Sequence, residues 1–149
     1  YEGGIRVPMI VKWPGHVKPG SVCDLRTGFE DWLPTLMNIV GAEGLVPKDV
    51  DGISFVPALE AQNQKGRPFL YREFPAYGGQ QAVWTGKWKG IRRGMQRGNT
   101  EIELYNLEED VAESNNRADK HPEMVARIKN IMDREHTASE LFPIKTLDR

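Results

Sequence analysis

The sequence predicts an α+β fold in which a small antiparallel sheet carries one packed helix. Apolar and aromatic residues alternate in short segments between residues 68 and 110, which is typical of strands. The connections between these segments are too short for helical crossovers, so we expect the strands to pair antiparallel. A helical repeat of apolar residues follows over 121–136, and a helix lying on one face of such a sheet is an α+β arrangement.

The composition and the charge are those of a globular chain. Hydrophobic residues make up 39% of the 149 residues and charged residues 28%, which distinguishes the chain from disordered segments. The formal net charge of −1 argues against the basic surface that nucleic acids require. No apolar run reaches the roughly 20 residues of a membrane span. We therefore expect neither nucleic acid nor a membrane as a partner.

The first part of the chain predicts one buried strand and one amphipathic helix. The apolar run Ile5–Trp13 is short and bounded by glycine and proline, which favours a strand, although Pro8 removes a hydrogen-bond donor. Apolar residues at helical spacing predict a helix over Asp31–Val40, with Gly41 suited to cap its C-terminal end. A polar stretch containing glycine and proline follows, so we place a domain boundary near residue 65.

The second part of the chain predicts the strands and the helix of the sheet domain. One strand is predicted in PFLYREF, two more in QAVWTGKWKGIRR with a turn at Thr85–Gly86, and another in EIELYNLEED. The helix is predicted in HPEMVARIKNIMDREH, with Pro122 at its first position. Its apolar stripe consists of Met124, Val125, Ile128, Ile131 and Met132.

The sequence contains no self-contained catalytic or metal-binding set of side chains. His16, His121 and His136 are far apart, and none forms the i,i+4 pair of a helical metal site, so surface or capping roles are favoured. The acidic run Glu108–Asp110 lacks the spacing of an EF-hand loop and is better explained as solvated charge. We therefore predict no catalytic residue and no metal ligand in this chain.

The loop between the first two predicted strands of the sheet is a candidate for ligand binding. Its sequence YGGQQ offers the hydroxyl group of Tyr77 and the amide groups of Gln80 and Gln81, which suit sugar hydroxyl groups. The alternative is an ordinary surface connection whose polar groups contact water.

The basic segment RRGMQRGN is a second candidate. Arg92, Arg93 and Arg97 would contact an anionic ligand through bidentate guanidinium hydrogen bonds. A solvated hairpin tip is the competing interpretation, and the residues alone leave both open.

Five motifs follow one another along the chain. It opens with Tyr-Glu-Gly-Gly-x-Arg-x-Pro and Trp-Pro-Gly, and DWLPTL, DGISFVPAL, GKWK and ELYNLEEDVAESNNRAD come later. The set, in this order, resembles type I sulfatases, in which the first motif follows the active-site lysine. Asn106, Val111 and Arg117 depart from the family's usual Asp, Pro and Leu, which we interpret as loop variation.

The resemblance implies a reaction centre that these residues do not contain. Type I sulfatases, of the alkaline phosphatase superfamily, hydrolyse sulfate esters with a formylglycine made in a Cys/Ser-x-Pro-x-Arg motif and a Ca²⁺ held by Asp and Asn. Neither that motif nor the family's Asp-Asn-Gly occurs here. Cys23, in VCDLR, does not fit and is better explained as a small structural hydrophobe. We expect an arylsulfatase-like C-terminal fragment that is inactive by itself.

The resemblance also implies a domain arrangement and a substrate class. Residues 1–65 would form the C-terminal end of the large sulfatase α/β domain, with its last strand and helix. Residues 66–149 would form a small C-terminal subdomain with an antiparallel sheet and a packed helix. The preferred substrate is a sulfated carbohydrate. The expected substrate contacts are Arg72, Tyr77, Gln80 and Gln81.

The remaining expectations concern the whole enzyme. The chain would pack against a missing N-terminal domain, and the protein would be exported to the periplasm or secreted, as the resemblance implies. Two alternatives stay open. One is a phosphatase or phosphodiesterase of the same superfamily, with Thr or Ser as nucleophile, and the other is a free-standing, non-catalytic α+β binding module.

Overall fold

The computed structural model describes residues 1–148, which divide into two compact units. The sheet unit consists of Tyr1–Val7 together with the chain from Arg67 onward, and the helical unit consists of Pro8–Gly66. The first seven residues therefore belong with the sheet rather than with the segment that follows them. The prediction that residues 1–65 complete a larger catalytic domain stays a prediction.

The order of elements along the chain matches the predicted α+β class. Strands β1 to β4 pair in sequence order, each antiparallel to the next. A two-residue turn joins β2 to β3, and Gly86 in that turn has a φ of 54°, a conformation that suits glycine. The helices are α1 (Glu2–Ile5), α2 (Trp32–Ile39), α3 (Val56–Leu59) and α4 (Pro122–Glu135), and the strands are β1 (Leu70–Phe74), β2 (Gln80–Thr85), β3 (Trp88–Arg93) and β4 (Ile102–Asn106).

One face of the sheet packs against α4 and forms the core of the sheet unit. The predicted apolar stripe of α4 is confirmed, because three of its members are buried and the other two pack against the same core. Gly90 of β3 allows the close approach of helix and sheet, since a Cβ atom there would lie 2.5 Å from the Cγ2 atom of Ile128. The buried core residues are Val83, Ile102, Leu104, Ile128, Ile131 and Met132.

The opposite face of the sheet is covered in part by the first residues of the chain. The side chain of Lys89 on β3 is fully buried, and its Nζ atom lies 3.0 Å from Glu2 Oε1 and 2.7 Å from Glu113 Oε1. The indole nitrogen of Trp84 donates a hydrogen bond to the same Glu2 oxygen at 2.9 Å. Both buried carboxylates are thus paired with a buried ammonium group, which a charge inside a protein requires.

The predicted strand Ile5–Trp13 is wrong. Glu2–Ile5 forms the one-turn helix α1, and no strand over residues 1–148 pairs with the segment that follows it. Val7 is 73% exposed and Ile10 is 95% exposed. An apolar run becomes a strand only where a neighbouring strand takes up its backbone hydrogen bonds, and the described residues supply none.

Helix α2 of the helical unit confirms the helix predicted over Asp31–Val40, and Gly41 follows it with a φ of 68°. The buried side of this helix is not the predicted apolar stripe. Asp31 and Thr35 are 1% and 0% exposed, whereas Leu36 is 52% exposed.

Thr35 of α2 and Asp31, the residue before this helix, are buried where they tie the helix to the loop ahead of α3. Asp31 accepts backbone hydrogen bonds from Gly28 and Ile53, both at 2.8 Å. Thr35 Oγ1 accepts one from Phe55 at 3.1 Å. A Cβ atom at Gly52 would lie 1.9 Å from the carbonyl oxygen of Glu30, so only glycine fits there.

Two further observations concern single features of the described residues. Cys23 is exposed, which contradicts its interpretation as a packed hydrophobe. None of the helices over residues 1–148 has the length and apolar character needed to cross a bilayer.

Candidate functional site

An open cleft of about 550 Å³ lies where the β1–β2 loop meets the β3–β4 connection. It combines hydroxyl, amide and guanidinium groups, which are suited to binding a polar, anionic ligand. Its lining residues are Tyr77, Gln80, Arg93, Gly94, Arg97, Asn99 and Glu103.

Backbone contacts hold the two loops together. Tyr77, Gly78 and Gly79 all have positive φ angles, of 50°, 84° and 77°, which turn the β1–β2 loop towards the other segment. The backbone N–H of Gln96 donates to the carbonyl of Gly78 at 2.8 Å, and that of Met95 donates to Gly79 at 3.2 Å. The walls of the cleft are therefore fixed to each other by main-chain hydrogen bonds.

The register of the sheet places Gln80 beside Arg93 on one wall. These residues are direct partners in the β2–β3 pair, so their side chains project from the same face. The guanidinium group of Arg93 forms a 2.6 Å ion pair with Glu103 and lies 4.8 Å from the ring of Tyr1. Arg93 is thus already committed to a carboxylate within the chain.

The carboxylate of Glu103 is the most heavily bonded group of the cleft. It accepts hydrogen bonds from the hydroxyl groups of Tyr1 and Tyr105, at 2.8 and 2.7 Å, in addition to its ion pair with Arg93. Partial burial alone would raise the pKa of Glu103, but these donors and the Arg93 charge outweigh it and hold the pKa below its ordinary value. Burial raises the pKa of Tyr105, and its hydrogen bond to Glu103 and the charge of that carboxylate raise it further.

Arg97 contributes an exposed guanidinium group to the cleft, and this group can bind a ligand. Arg97 ends a short 3₁₀ turn, Met95–Arg97. Gly94 and Gly98 flank this turn, with φ angles of 70° and 88°. Within the part of the chain that the structure describes, no carboxylate pairs with the guanidinium group of Arg97.

The structure brings two of the four predicted contact residues together. Tyr77 and Gln80 both line the cleft, and the Tyr77 side chain is 87% exposed. Arg72 is exposed on β1, where its guanidinium donates to the carbonyl of Tyr71 at 2.8 Å, and it is not part of the lining. Gln81 points to the other face of the sheet and is 1% exposed. The substrate contacts themselves stay predictions.

Gln81 is bonded inside a buried polar network between the sheet and α4. Its amide nitrogen donates to the hydroxyl of Tyr71 at 2.9 Å and to Glu73 at 2.8 Å, and its oxygen accepts from Arg92 at 3.0 Å. Burial and Glu73 raise the pKa of Tyr71, and burial lowers the pKa of Arg92 against the charge of Asp133. With these bonds made, the Gln81 amide is engaged within the chain.

The basic segment singled out in the sequence is therefore divided between two environments. Arg92 is 2% exposed and faces α4, whereas Arg93 and Arg97 lie at the cleft. The alternation of side chains along a strand would have separated Arg92 from Arg93. The roles of Asn99 and Glu103 were not predicted, because no local pattern links them to a loop twenty residues earlier.

The described residues do not fit the metal and the nucleophile that the resemblance implies. Over residues 1–148, no group of three or more His, Cys, Asp and Glu side chains is arranged so that it could hold a metal ion. Cys23 lies in VCDLR and lacks the Pro and Arg spacing from which a formylglycine is made. The hydroxyl, amide and guanidinium groups of the cleft are groups that bind polar ligands.

The four-stranded antiparallel sheet with its C-terminal helix matches part of solved sulfatase structures. A solved structure from Bacteroides thetaiotaomicron, described under the metabolism of multiple glycosaminoglycans, superposes with a TM-score of 0.69 at 25% identity. The match covers 90% of this chain and 30% of that one.

The chain belongs to the family described as N-sulphoglucosamine sulphohydrolase, C-terminal, which matches residues 1–138. Human arylsulfatase A is 39% identical over 92 residues, or 60% of this chain and 18% of that protein. The Ulvan-active sulfatase of Formosa agariphila is 38% identical over 68 residues, or 46% of this chain and 13% of that protein. The resemblance to sulfatases is thus confirmed, and the chain spans less than a third of each relative.

Proposed function

We propose that this chain is the part of a sulfatase that contacts a sulfated carbohydrate, while the nucleophile and the Ca²⁺ ligands lie in other residues of the complete polypeptide. The observation that carries the proposal is the cleft, in which the guanidinium group of Arg97 lies beside Tyr77 and Gln80 without a carboxylate partner in the described residues. One similar sulfatase is described as active on ulvan, and one similar structure under glycosaminoglycan metabolism, which supports a glycan substrate.

The chemistry of the cleft suits such a ligand. A guanidinium group binds a sulfate through two parallel hydrogen bonds, and such charge-assisted bonds are roughly twice as strong as neutral ones. The Tyr77 hydroxyl and the Gln80 amide both donate and accept, as sugar hydroxyl groups require. Glu103 and Arg93 neutralise each other, so Arg97 gives the cleft its net positive charge.

The chain by itself is proposed to be inactive. Ca²⁺ would supply charge stabilisation, and a formylglycine the nucleophile, but residues 1–148 offer no set of side chains that could hold the metal, and the sequence has no Cys/Ser-x-Pro-x-Arg motif. The purified chain, incubated with an aryl sulfate and Ca²⁺, is therefore expected to show no turnover above background. Turnover would contradict this part of the proposal.

Steady-state kinetics of the complete polypeptide on a sulfated oligosaccharide test the role of the cleft. We expect Arg97→Ala to raise KM about tenfold with little change in kcat, since the loss of a charge-assisted hydrogen bond weakens binding by roughly that factor. Gln80→Ala is expected to raise KM less. Arg127→Ala, which removes an exposed arginine on α4, is the matched control. An unchanged KM in the Arg97 variant would remove the proposal.

A further inference from the structure

We propose that His136 is a positioning residue whose protonated ring fastens the C-terminal segment 143–148 to the sheet, and that this segment in turn holds the loop carrying Arg97. The effect on catalysis rests on the proposed function of the cleft, whereas the effect on the loop does not. These contacts would hold the cleft in one geometry at low pH, and the cleft would become more mobile as His136 loses its proton.

The ring of His136 lies between two carboxylates. It follows directly after α4, and its Nδ1 atom lies 2.8 Å from Glu73 Oε2, while its Nε2 atom lies 2.7 Å from Asp148 Oδ1. Ionised carboxylates only accept hydrogen bonds, and a neutral imidazole has a single N–H. Only the doubly protonated ring donates to both partners, so this geometry selects the imidazolium form.

The two charges that face the ring lie on β1 and on the C-terminal segment, and the residue before His136 is also charged. Glu73 on β1 also accepts hydrogen bonds from Tyr71 and from Gln81, which connects it to the buried Arg92. Asp148 lies on the C-terminal segment. On the ring's own side, Glu135 at the end of α4 is paired with its neighbour Arg134 at 2.6 Å.

The balance of these groups favours the charged ring. Partial burial alone would lower the pKa of His136, but the hydrogen bonds and charges of Glu73 and Asp148 outweigh it and raise the pKa above its ordinary value of 6.5. The hydrogen bond from the backbone of Ile144 lowers the pKa of Asp148, and the hydrogen bond and charge of His136 lower it further. Together they outweigh desolvation, so this pKa lies below its ordinary value. Asp148 therefore stays ionised throughout the range in which His136 titrates.

Asp148 closes the C-terminal segment on itself. Its second carboxylate oxygen accepts a hydrogen bond from the backbone N–H of Ile144 at 2.6 Å. The backbone N–H of Leu147 donates to the carbonyl of Ile144 at 2.8 Å, and the Ile144 side chain is fully buried. The hydrogen bond from His136 to Asp148 thus holds a compact turn that has its own internal hydrogen bonds.

This turn contacts the loop at the base of the cleft. The side-chain amide of Gln96 donates to the carbonyl of Pro143 at 2.7 Å, and its oxygen accepts from the backbone of Lys145 at 3.4 Å. The hydroxyl of Thr146 donates to the carbonyl of Met95. Gln96 immediately precedes Arg97. His136 is therefore linked to the cleft by a continuous series of hydrogen bonds, through Asp148, the 143–148 turn and the loop at Met95–Gln96.

The direction of the pH effect follows from the raised pKa. The stabilisation is complete below the ordinary value of 6.5, and it is lost as the pH rises through the higher value of the folded protein. Hydrogen exchange at the loop reports on this directly, because the backbone N–H groups of Met95 and Gln96 are bonded across it.

Hydrogen exchange of the complete polypeptide between pH 5.5 and 8.5, corrected for intrinsic rates, tests the inference. We expect the protection of peptide 94–98 to fall about tenfold across this range in the unmodified protein, roughly the effect of losing one charge-assisted hydrogen bond between His136 and Asp148. His136→Gln should show the low protection at every pH. Asp148→Asn weakens the bond to His136, and Thr146→Val removes the bond to Met95, so both should also lower the protection of peptide 94–98. His121→Gln, an imidazole elsewhere on the sheet unit, should behave as the unmodified protein.

The kinetic readout separates the two proposals. If the cleft binds substrate, KM should rise with pH in the unmodified protein and lose this dependence in His136→Gln. Equal protection of peptide 94–98 in the unmodified, His136→Gln and Thr146→Val proteins would overturn the inference, whatever the kinetics show. Altered protection together with an unchanged KM in Arg97→Ala would leave the inference standing and remove the proposed function.

Discussion

The ammonium group of Lys89 lies 3.0 Å from the carboxylate of Glu2, a residue 87 positions earlier in the chain. This contact fastens the first turn of the chain to the third strand of the sheet. It explains why Tyr1–Val7 belongs to the sheet unit, although 59 residues, Pro8–Gly66, form the other unit in between. It also gives Glu2 of the opening motif a structural role that its sequence neighbours do not suggest.

The buried charges around Lys89 yield the first prediction. Lys89→Met removes the buried cation that lies between the carboxylates of Glu2 and Glu113, and it is expected to lower the free energy of unfolding by about 3 kcal/mol, since the two buried negative charges would lose the charge that offsets their repulsion. Lys87→Met, an exposed neighbour in the same hairpin, should change it by less than about 0.5 kcal/mol. Urea unfolding measures both. Equal stability of the two variants would show that the Glu2 contact does not stabilise the fold.

The second prediction concerns the contact of β3 with α4. Gly90→Ala places a methyl group where Ile128 already lies, so the free energy of unfolding is expected to fall by about 1–3 kcal/mol. The double variant Gly90→Ala/Ile128→Ala should lose less free energy of unfolding than the two single variants together, because Ile128→Ala removes the atoms that clash with the new methyl group. Gly66→Ala, where no atom lies within 4 Å of the new Cβ, is the control. Strict additivity of the two changes would argue against this close packing.

The third prediction is a dependence of stability on acid. Because the folded-state pKa of Glu103 lies below its ordinary value of 4.5, its stabilisation is complete above that value and is lost as the pH falls through the lowered pKa. When thermal unfolding is followed from pH 6 down to 2.5, the melting temperature should therefore fall less steeply in Glu103→Gln than in the unmodified protein. Glu101→Gln, which removes an exposed carboxylate nearby, should leave this fall unchanged. Identical profiles in all three would contradict the shift.

The sheet and its helix could be predicted because their signals are local. The strand segments are separated by short turns, and the stripe from Met124 to Met132 repeats at the helical period, so each element indicates its own class. The antiparallel order follows from the short connections alone. The resemblance to sulfatases could likewise be recognised from motifs that are each continuous in sequence.

Other features depended on contacts that no segment contains by itself. Ile5–Trp13 has the composition of a strand, but composition does not supply a pairing partner. The apolar residues of α2 suggested its buried side, yet the hydrogen bonds of Asp31 and Thr35 to distant backbone groups decided which side is buried. Gln80 and Gln81 are indistinguishable as residues, and the pleat of β2 directs one to the cleft and the other to Arg92.

The sequence by itself determined the α+β class, the four strands, the helix α4 and the family. Tertiary structure alone decided that Glu2 joins Lys89, that Arg97 and Gln80 share a cleft, and that His136 bridges Glu73 and Asp148. The physical reason is that periodicity and turn chemistry act over a few neighbouring residues. The charges and hydrogen bonds of the candidate site act between atoms that only folding brings within 3 Å of each other.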